Sequence, residues 1–328
     1  MVNRDVKNKE PDADPLLLSC DWGSTSFRLK LAHKVTGNSF FTISDPRGIK
    51  KMNKSRPDQK EMSSREGFYL TYLKEQISRM ALTSERNLDG VPVMISGMAS
   101  SSIGIQELPY SHLPIELKNP ALQYKVIEAT DGFRHDVILI SGFCASDDVM
   151  RGEETQLLGI ISEYSLETGL CILPGTHSKH LYINNNVLTD FKTYLTGELF
   201  EYLSTQSILS NSISTPEEGF ASEAFQQGLQ QSVDGNLLHS LFTIRSQDLL
   251  YNADKYKSYD FLSGLLIGTE LSDLQNLQST NIILAGARHL HHHYSAALKF
   301  FQLDHFTADL NDDLTLSGHR SIINKILN

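Results

Sequence analysis

The sequence predicts an α/β protein of two similar domains with a ligand cleft between them, on three observations. Two stretches about 150 residues apart carry the same device, a short apolar strand that ends in a turn of glycine and small hydroxyl residues before a second strand. At 328 residues the chain is long enough for each half to bury its own core. Elsewhere, apolar runs of strand length alternate with segments of helical periodicity, and the second half repeats the order of the first.

The first device runs from a strand at 16–20 through Asp21-Trp22-Gly23-Ser24-Thr25-Ser26 into a strand at 27–32. The second runs from 170–173 through Pro174-Gly175-Thr176-His177-Ser178-Lys179 into 180–183. A further strand pair follows across Thr36-Gly37-Asn38 or Asn184-Asn185-Asn186. Glycine lets the backbone approach a phosphate, hydroxyls add donors, and Lys179 adds charge. One such turn is as readily a plain hairpin as a phosphate site. Two in matching contexts, facing each other, would clamp a triphosphate. A carboxylate at a strand end beside phosphate is where Mg²⁺ is held, directly or through water, which makes Asp21 the metal candidate. Its structural alternative is to accept the turn's own amide hydrogen bonds.

A hydrophobic content of 40% with 21% charged residues is that of a soluble globular protein. The net charge of −10 argues against nucleic acid, while a small anionic substrate stays open wherever basic residues gather. No apolar run approaches the roughly 20 residues of a membrane span. Residues 1–14 are polar and read as a disordered tail rather than a signal peptide. Cys20, Cys144 and Cys171 have no metal spacing and read as buried free thiols, which sets the expected location as cytoplasmic. A homodimer is compatible with all of this.

Residues 47–65 read as a polar, Lys-rich loop and 66–80 as a helix. A strand at 91–95 opens into Ser96-Gly97-Met98-Ala99-Ser100-Ser101-Ser102, too rich in Gly and Ser for a regular element. Ligands of α/β sheets sit beyond the carboxyl ends of strands, so Ser96, Gly97 and Met98 are substrate candidates, the alternative being a flexible connection. A strand at 137–140 leads into a helix of about sixteen residues ending near 164, with Arg151, Glu153 and Glu154 in its first turns. Glu154 shares a face with Met150, Leu157, Leu158 and Ile161, and a carboxylate among apolar neighbours is costly unless paired or given a task. An ion pair with Arg151, or a helix-start charge, is the structural alternative.

In the second half, 196–203 reads as a helix and the stretch to about 218 as a loop, with helices at 221–230, 237–250 and 261–271. A strand at 281–284 ends in Ala285-Gly286-Ala287 before another helix, an arrangement that suits Gly286 and Ala287 to the adenosine end of a nucleotide. His289, His291, His292 and His293 have poor metal spacing and read as a solvated helix face.

Several longer strings point further: Asp21-Trp22-Gly23-Ser24-Thr25 with Phe27-Arg28, and Ser96-Gly97-Met98 with Pro109-Tyr110. Others are Val149-Met150-Arg151-Gly152-Glu153-Glu154-Thr155-Gln156-Leu157-Leu158-Gly159, and Pro174-Gly175-Thr176-His177-Ser178-Lys179 with Thr196-Gly197-Glu198-Leu199-Phe200. Leu241-Phe242 with Arg245, then Phe261-Leu262-Ser263-Gly264-Leu265-Leu266-Ile267-Gly268, complete the set. Over nearly the whole chain beyond the tail, they resemble the 2-dehydro-3-deoxygalactonokinases of the actin, hexokinase and Hsp70-like superfamily. The resemblance implies two similar domains of ribonuclease H-like type, each a five-stranded mixed sheet with helices. An N-terminal ATPase-like domain with the substrate loop would span 15–160, and a C-terminal one with the adenosine site 161–328, its last helix packing back on the first. It also implies that ATP and a sugar acid meet in the cleft and that the γ-phosphoryl group passes to the 6-hydroxyl of 2-dehydro-3-deoxy-D-galactonate. The substrate comes from the resemblance alone.

The chain departs from the family pattern at two places. Residues 99–107 lack a usual Gly-Trp pair and the basic residue that often follows, and His180 stands where a Trp usually follows the lysine, read here as a packing change. In such a kinase, chemistry is positioning and charge neutralisation, with one carboxylate accepting the hydroxyl proton. Gly23, Ser24 and Thr25 are assigned to the phosphates from one side, and Gly175, Thr176, His177, Ser178 and Lys179 from the other, with Asp21 for Mg²⁺. Glu153 or Glu154 is the base ahead of Asp148, the sequence not deciding between them. Arg151 is assigned to the substrate carboxylate, the alternative being an ion pair with Glu154 or Asp148. A kinase for another small sugar or hydroxy acid is favoured by the altered 99–107 loop. A non-catalytic sensor is disfavoured by the full set of Asp21, Lys179 and both glutamates.

Overall fold

A computed structural model describes residues 15–56, 64–216, 220, 222–275, 280–309 and 313–326. The expected tail at 1–14, part of the 47–65 loop, the end of the loop before 218 and the first residue of the 221–230 helix lie outside them. The first half runs β1 (Leu16–Trp22), β2 (Phe27–His33), β3 (Ser39–Asp45), α1 (Ile49–Ser55), α2 (Arg65–Ser84) and β4 (Val93–Gly97). It continues with β5 (Ser111–His112), β6 (Ile115–Glu116), β7 (Tyr124–Ile127), β8 (Val137–Ile140), β9 (Phe143–Cys144), β10 (Val149–Met150) and α3 (Glu153–Tyr164). The second half runs β11 (Gly169–Leu173), β12 (Ser178–Asn184), β13 (Val187–Tyr194), α4 (Thr196–Thr205), α5 (Ser222–Asp234), α6 (Leu237–Tyr251) and α7 (Lys255–Leu271). It ends with β14 (Ile282–Leu284), α8 (His291–Phe300), β15 (His305–Thr307) and α9 (Leu314–Ile326).

The order β3-β2-β1-β4-β8 in the first sheet recurs as β13-β12-β11-β14-β15 in the second. The directions recur too: β1 is antiparallel to β2 and parallel to β4, as β11 is to β12 and β14. Five strands per sheet were expected; among the described residues these two sheets have six each, and β10, β9 and β5 form a small third sheet of three. β7 joins antiparallel beyond β8, and β6 crosses from the first half to pair antiparallel with β13. An edge strand presents unpaired backbone groups, and β6 covers that edge while seating the buried Ile115 and Leu117 in the core.

The alternation along the central strands builds three layers of core. Leu17 faces a central cluster with Leu157 of α3 and Ile322 of α9, while Leu18, Cys20 and Trp22 face Tyr69 and Leu73 of α2. β11 repeats this: Cys171 and Leu173 face the centre, and Leu170 and Ile172 face Phe225 and Leu271 of α5 and α7. The two sheets thus sandwich α3 and α9. Ser19, on the inward face, bonds the ring Nδ1 of the buried His319 on α9 at 2.7 Å.

Several elements differ from their expected bounds, among them α2, which runs to Ser84 rather than 80, and β4, which runs over 93–97 rather than 91–95 and so takes in Ser96 and Gly97. The Lys-rich loop contains α1, whose buried Ile49 and Met52 are an apolar pair three apart that the surrounding lysines hide. α7 begins at Lys255 rather than 261, because Asp254 caps it by accepting from the Tyr256 N–H at 2.9 Å. α3 has 12 residues rather than about sixteen, its start set by Gly152 at φ 114°. The three cysteines are free and buried.

α3 and α9 cross at glycines. A Cβ at Gly318 would lie 1.9 Å from the Thr155 carbonyl oxygen, and one at Gly159 would lie 2.1 Å from that of Leu314. Helix propensity alone favours alanine over glycine by about 1 kcal/mol. Overpacking opposes it with a cost of about 1–3 kcal/mol, larger here because the obstacle is backbone. Gly318→Ala is therefore expected to lower unfolding stability in urea titration, and a gain in stability would contradict the close crossing.

Candidate active site

The first turn is held from behind and from the side. The Trp22 ring packs edge-on to Phe27 and Tyr69, with centroids 5.0 and 5.6 Å away, and its indole N–H donates to the Arg47 carbonyl at 3.1 Å. The Gly23 N–H donates to the Ser26 carbonyl, and the N–H groups of Ile49 and Lys50, at the start of α1, donate to the carbonyls of Gly23 and Ser24 at 2.9 and 3.0 Å. Gly48 permits this approach, since a Cβ there would lie 2.4 Å from the Ser24 oxygen. The side chains of Ser24 and Thr25 are exposed.

The second turn is built the same way. The Glu198 N–H, at the start of α4, donates to the Thr176 carbonyl at 2.9 Å, and Gly197 approaches so closely that a Cβ would lie 2.4 Å from the Gly175 oxygen. Thr176 and His177 are exposed, and the His177 imidazole meets the Glu198 carboxylate. Ser178 turns its hydroxyl inward to Glu270 at 2.7 Å, which leaves only its backbone for a ligand. Lys179 is buried, and its ammonium lies 3.2 Å from both the His177 carbonyl and Glu153 Oε1.

The start of α3 lies between the end of β4, which pairs with Asp21 and Trp22, and the second turn. Gly152 sits against Gly97 at the end of β4, and Glu153 reaches from there to Lys179 of the other sheet while accepting from the Arg151 N–H at 3.1 Å. Glu153 keeps about a quarter of its side chain accessible, whereas Glu154 has none. Glu154 instead accepts from the Gly152 N–H at 2.6 Å and the Thr155 hydroxyl at 3.0 Å. Burial, with the Glu153 charge adding to it, pushes its carboxyl up to about 7. Burial raises the Asp21 carboxyl above the usual aspartate range. Arg28, 3.9 Å away, opposes the rise, while Asp313 and Glu153 add to it. Asp148 is committed elsewhere, accepting from the Thr193 N–H and hydroxyl at 2.6 and 2.8 Å.

The Gly/Ser stretch at 96–102 is folded rather than loose, and its first two residues, Ser96 and Gly97, end β4. Met98–Ser100 form a 3₁₀ turn, the Ile105 N–H returns to the Ala99 carbonyl at 2.7 Å, and Ala99, Ser100 and Ile105 are buried. Ser96 is buried with no partner for its hydroxyl, and Met98 is half-buried. Arg151 donates to the carbonyl and hydroxyl of Ser100 at 2.7 and 2.6 Å and lies 4.2 Å over the Tyr110 ring, with its buried Nε unpartnered. Neither of the ion pairs considered for it, with Glu154 or Asp148, forms. Its partners are Ser100 and Tyr110, which sequence order alone does not bring near it.

Gly286 and Ala287 follow Ala285 after β14, and Gly286 faces Leu173 of β11 and Pro174 of the second turn. Beside them lies a pocket of about 200 Å³ lined by Gly175, Gly197, Phe200, Tyr259, His289 and Tyr294, among others. Phe200 and Tyr259 stack edge-on at 4.8 Å, and sequence reasoning missed both as site residues. Phe200 lies in a quoted string without a local cue of its own, and Tyr259 falls ahead of the helix as read. Nor is the histidine run wholly solvated: His291, at the start of α8, is buried beside the backbone of Ala285 and Gly286. Among the described residues no three His, Cys, Asp or Glu side chains gather to hold a metal.

The raised Glu154 pKa has a consequence for stability. Between the unfolded value of about 4.5 and the folded value of about 7, the folded chain binds more protons, so its stability falls as pH rises through that window. Glu154→Gln should flatten that part of the stability profile, worth on the order of 2–3 kcal/mol in the parent. Urea unfolding between pH 4.5 and 8 checks this, and an unchanged slope would contradict it.

A family model described as 2-keto-3-deoxy-galactonokinase matches residues 21–322, from Asp21 at the first turn into α9. The 2-dehydro-3-deoxygalactonokinase of Escherichia coli (strain K12) is 31% identical over 254 residues, 75% of this chain and 83% of that protein. A solved structure from Sinorhizobium meliloti, provisionally named as the same kinase, aligns with a TM-score of 0.78 at 25% identity, covering 95% of this chain and 96% of that one. Component A of the (R)-2-hydroxyglutaryl-CoA dehydratase of Acidaminococcus fermentans shares the fold at a TM-score of 0.50 and 10% identity, over 94% of this chain and 96% of that one. No helix among the described residues is long and apolar enough to cross a membrane. With both turns and the start of α3 inside the matched span, the chain belongs to the 2-keto-3-deoxy-galactonokinase family and is a kinase, a phosphotransferase with an alcohol acceptor.

Proposed function

We propose that the protein transfers the γ-phosphoryl group of ATP to the 6-hydroxyl of 2-dehydro-3-deoxy-D-galactonate, in a cleft between domains at 15–160 and 161–328 of the actin and hexokinase type. The observation that carries this reading is the Lys179–Glu153 contact of 3.2 Å, where a cation from one duplicated turn meets a carboxylate beside the other. Phosphate oxygens compete with Glu153 for the ammonium. ATP binding therefore releases that carboxylate to accept the proton of the sugar hydroxyl.

The backbone and hydroxyls of Gly23, Ser24 and Thr25 hold the phosphates from one side. Gly175, Thr176 and His177, the Ser178 amide and Lys179 hold them from the other. The adenosine lies in the pocket beside Gly286 and Ala287, against Phe200 and Tyr259. Arg151, with its unpartnered Nε, takes the acid's carboxylate, and Ser96, Gly97 and Met98 line the sugar's path. The buried, unpartnered Ser96 hydroxyl supports that placement.

A divalent cation fits the donors present. The Asp21 carboxyl is raised by burial and by neighbouring carboxylates, with one arginine 3.9 Å away, so a cation there relieves the repulsion. Mg²⁺ binds through one or two carboxylates plus phosphate oxygens and water, so no cluster of three protein ligands is needed. When bound, it supplies charge neutralisation at the phosphates. Glu154 is buried among its own hydrogen bonds, which favours Glu153 as the base.

Release of ADP, coupled to a dye-linked assay over 2-dehydro-3-deoxy aldonates, plain aldonates and hexoses, tests the reading. Turnover on the galactonate compound is expected, turnover on another acid only would move the substrate, and ATP binding without any turnover would favour a sensor. Glu153→Gln should lower kcat by about 10²-fold or more while retaining ATP binding. Mild, equal losses in Glu153→Gln and Glu154→Gln would rule out the assignment.

A further inference from the structure

We propose that Glu270, in α7, is a positioning residue that locks the second phosphate turn to the wall of the adenosine pocket, so that both ends of the nucleotide are held in one fixed arrangement. The inference rests on the phosphate-turn reading given above. Glu270 is buried, and its carboxylate gathers side chains from three other elements. One oxygen accepts from the Ser178 hydroxyl at 2.7 Å and from His180 Nε2 at 2.9 Å, both at the start of β12. The other accepts from the Thr196 hydroxyl at the start of α4 and from the Tyr294 hydroxyl on α8 at 2.7 Å.

Each donor sits next to a part of the nucleotide site. Ser178 lies between His177 and Lys179 of the turn. Thr196 precedes Gly197 and Glu198, which grip the turn through the Thr176 carbonyl. Thr196 and Tyr294 both line the pocket of about 200 Å³. One carboxylate therefore sets the distance between the turn and that pocket. Glu270 itself lines neither the turn's exposed surface nor the pocket, so it acts through its four partners. His180 is more than a packing replacement, because its ring stacks on Tyr194 with centroids 4.6 Å apart and also donates to the hub.

Glu270→Gln keeps the shape of the side chain but turns an NH₂ group toward two of the donors. Leaving buried donors unmatched weakens what they hold, so the dissociation constant for a non-hydrolysable ATP analogue, measured by titration calorimetry, should rise about tenfold or more. kcat should fall with it while the KM for the sugar acid stays within about twofold. Tyr294→Phe and Thr196→Val each remove one donor and add no new polar group. Each should raise the analogue's dissociation constant about threefold, and they carry the test if Glu270→Gln does not fold.

A purely structural role predicts a lower melting temperature with unchanged analogue affinity and unchanged kcat per folded molecule. That result in these variants would overturn the proposal. Lys179→Ala serves as the reference. If it weakens the analogue while the Glu270, Tyr294 and Thr196 variants do not, the positioning role alone fails. If Lys179→Ala binds the analogue as the parent does, the phosphate-turn reading fails and the proposal with it.

Discussion

The close crossing of α3 and α9 is the constraint on which the rest depends. Two sheets that each pack an inner face on the same helix pair can bring their turns together only if that pair is thin. Glycine at 159 and at 318 lets the helix backbones touch where any side chain would hold them apart. The start of α3 then lies against the end of β4 on one side and within reach of the second turn on the other. The parity of β1 matters equally, since it places Ser19 and Asp21 on the face turned toward α3 and α9 while Trp22 anchors the turn from the outer face.

The electrostatics of the cleft follow from that placement. Glu153 and Asp313 each act against the Asp21 charge, opposed by Arg28 and Lys30, while Lys179 pairs with Glu153. On the proposed reading, a triphosphate would bring negative charge to the lysine side and a divalent cation positive charge to the aspartate side, so that the two ligands would redistribute the existing pairs. Glu154 stays outside this exchange, since it is enclosed by its own helix start and shifted toward its neutral form. The two adjacent glutamates thus differ in environment far more than in sequence.

That difference marks the limit of what the sequence conveys. Both turns, the strands around them and the helix from Glu153 are local patterns, set by two-residue alternation and by glycine in short loops, and they are readable one segment at a time. The choice between Glu153 and Glu154 depends on how Gly152 directs the chain, a backbone angle that composition does not reveal. α1 is hidden because lysines surround its two buried residues, and the sixth strand of each sheet because β6 is two residues long and pairs with the remote β13, while β7, paired with the neighbouring β8, is an edge strand with almost no buried face. Arg151 is legible as a candidate in the sequence, but its partners Ser100 and Tyr110 arrive through the tertiary fold. Glu270 went unread for the same reason: its four donors lie 24 to 92 positions away in sequence.

The most direct test of the cleft as a site of phosphoryl transfer to a terminal hydroxyl is ³¹P nuclear magnetic resonance of the product formed from Mg²⁺-ATP and 2-dehydro-3-deoxy-D-galactonate. A single new phosphomonoester signal coupled to the two protons on carbon 6, appearing in step with ADP, is the expected result. ADP formed together with free phosphate and no ester, or an ester at another carbon, would contradict it.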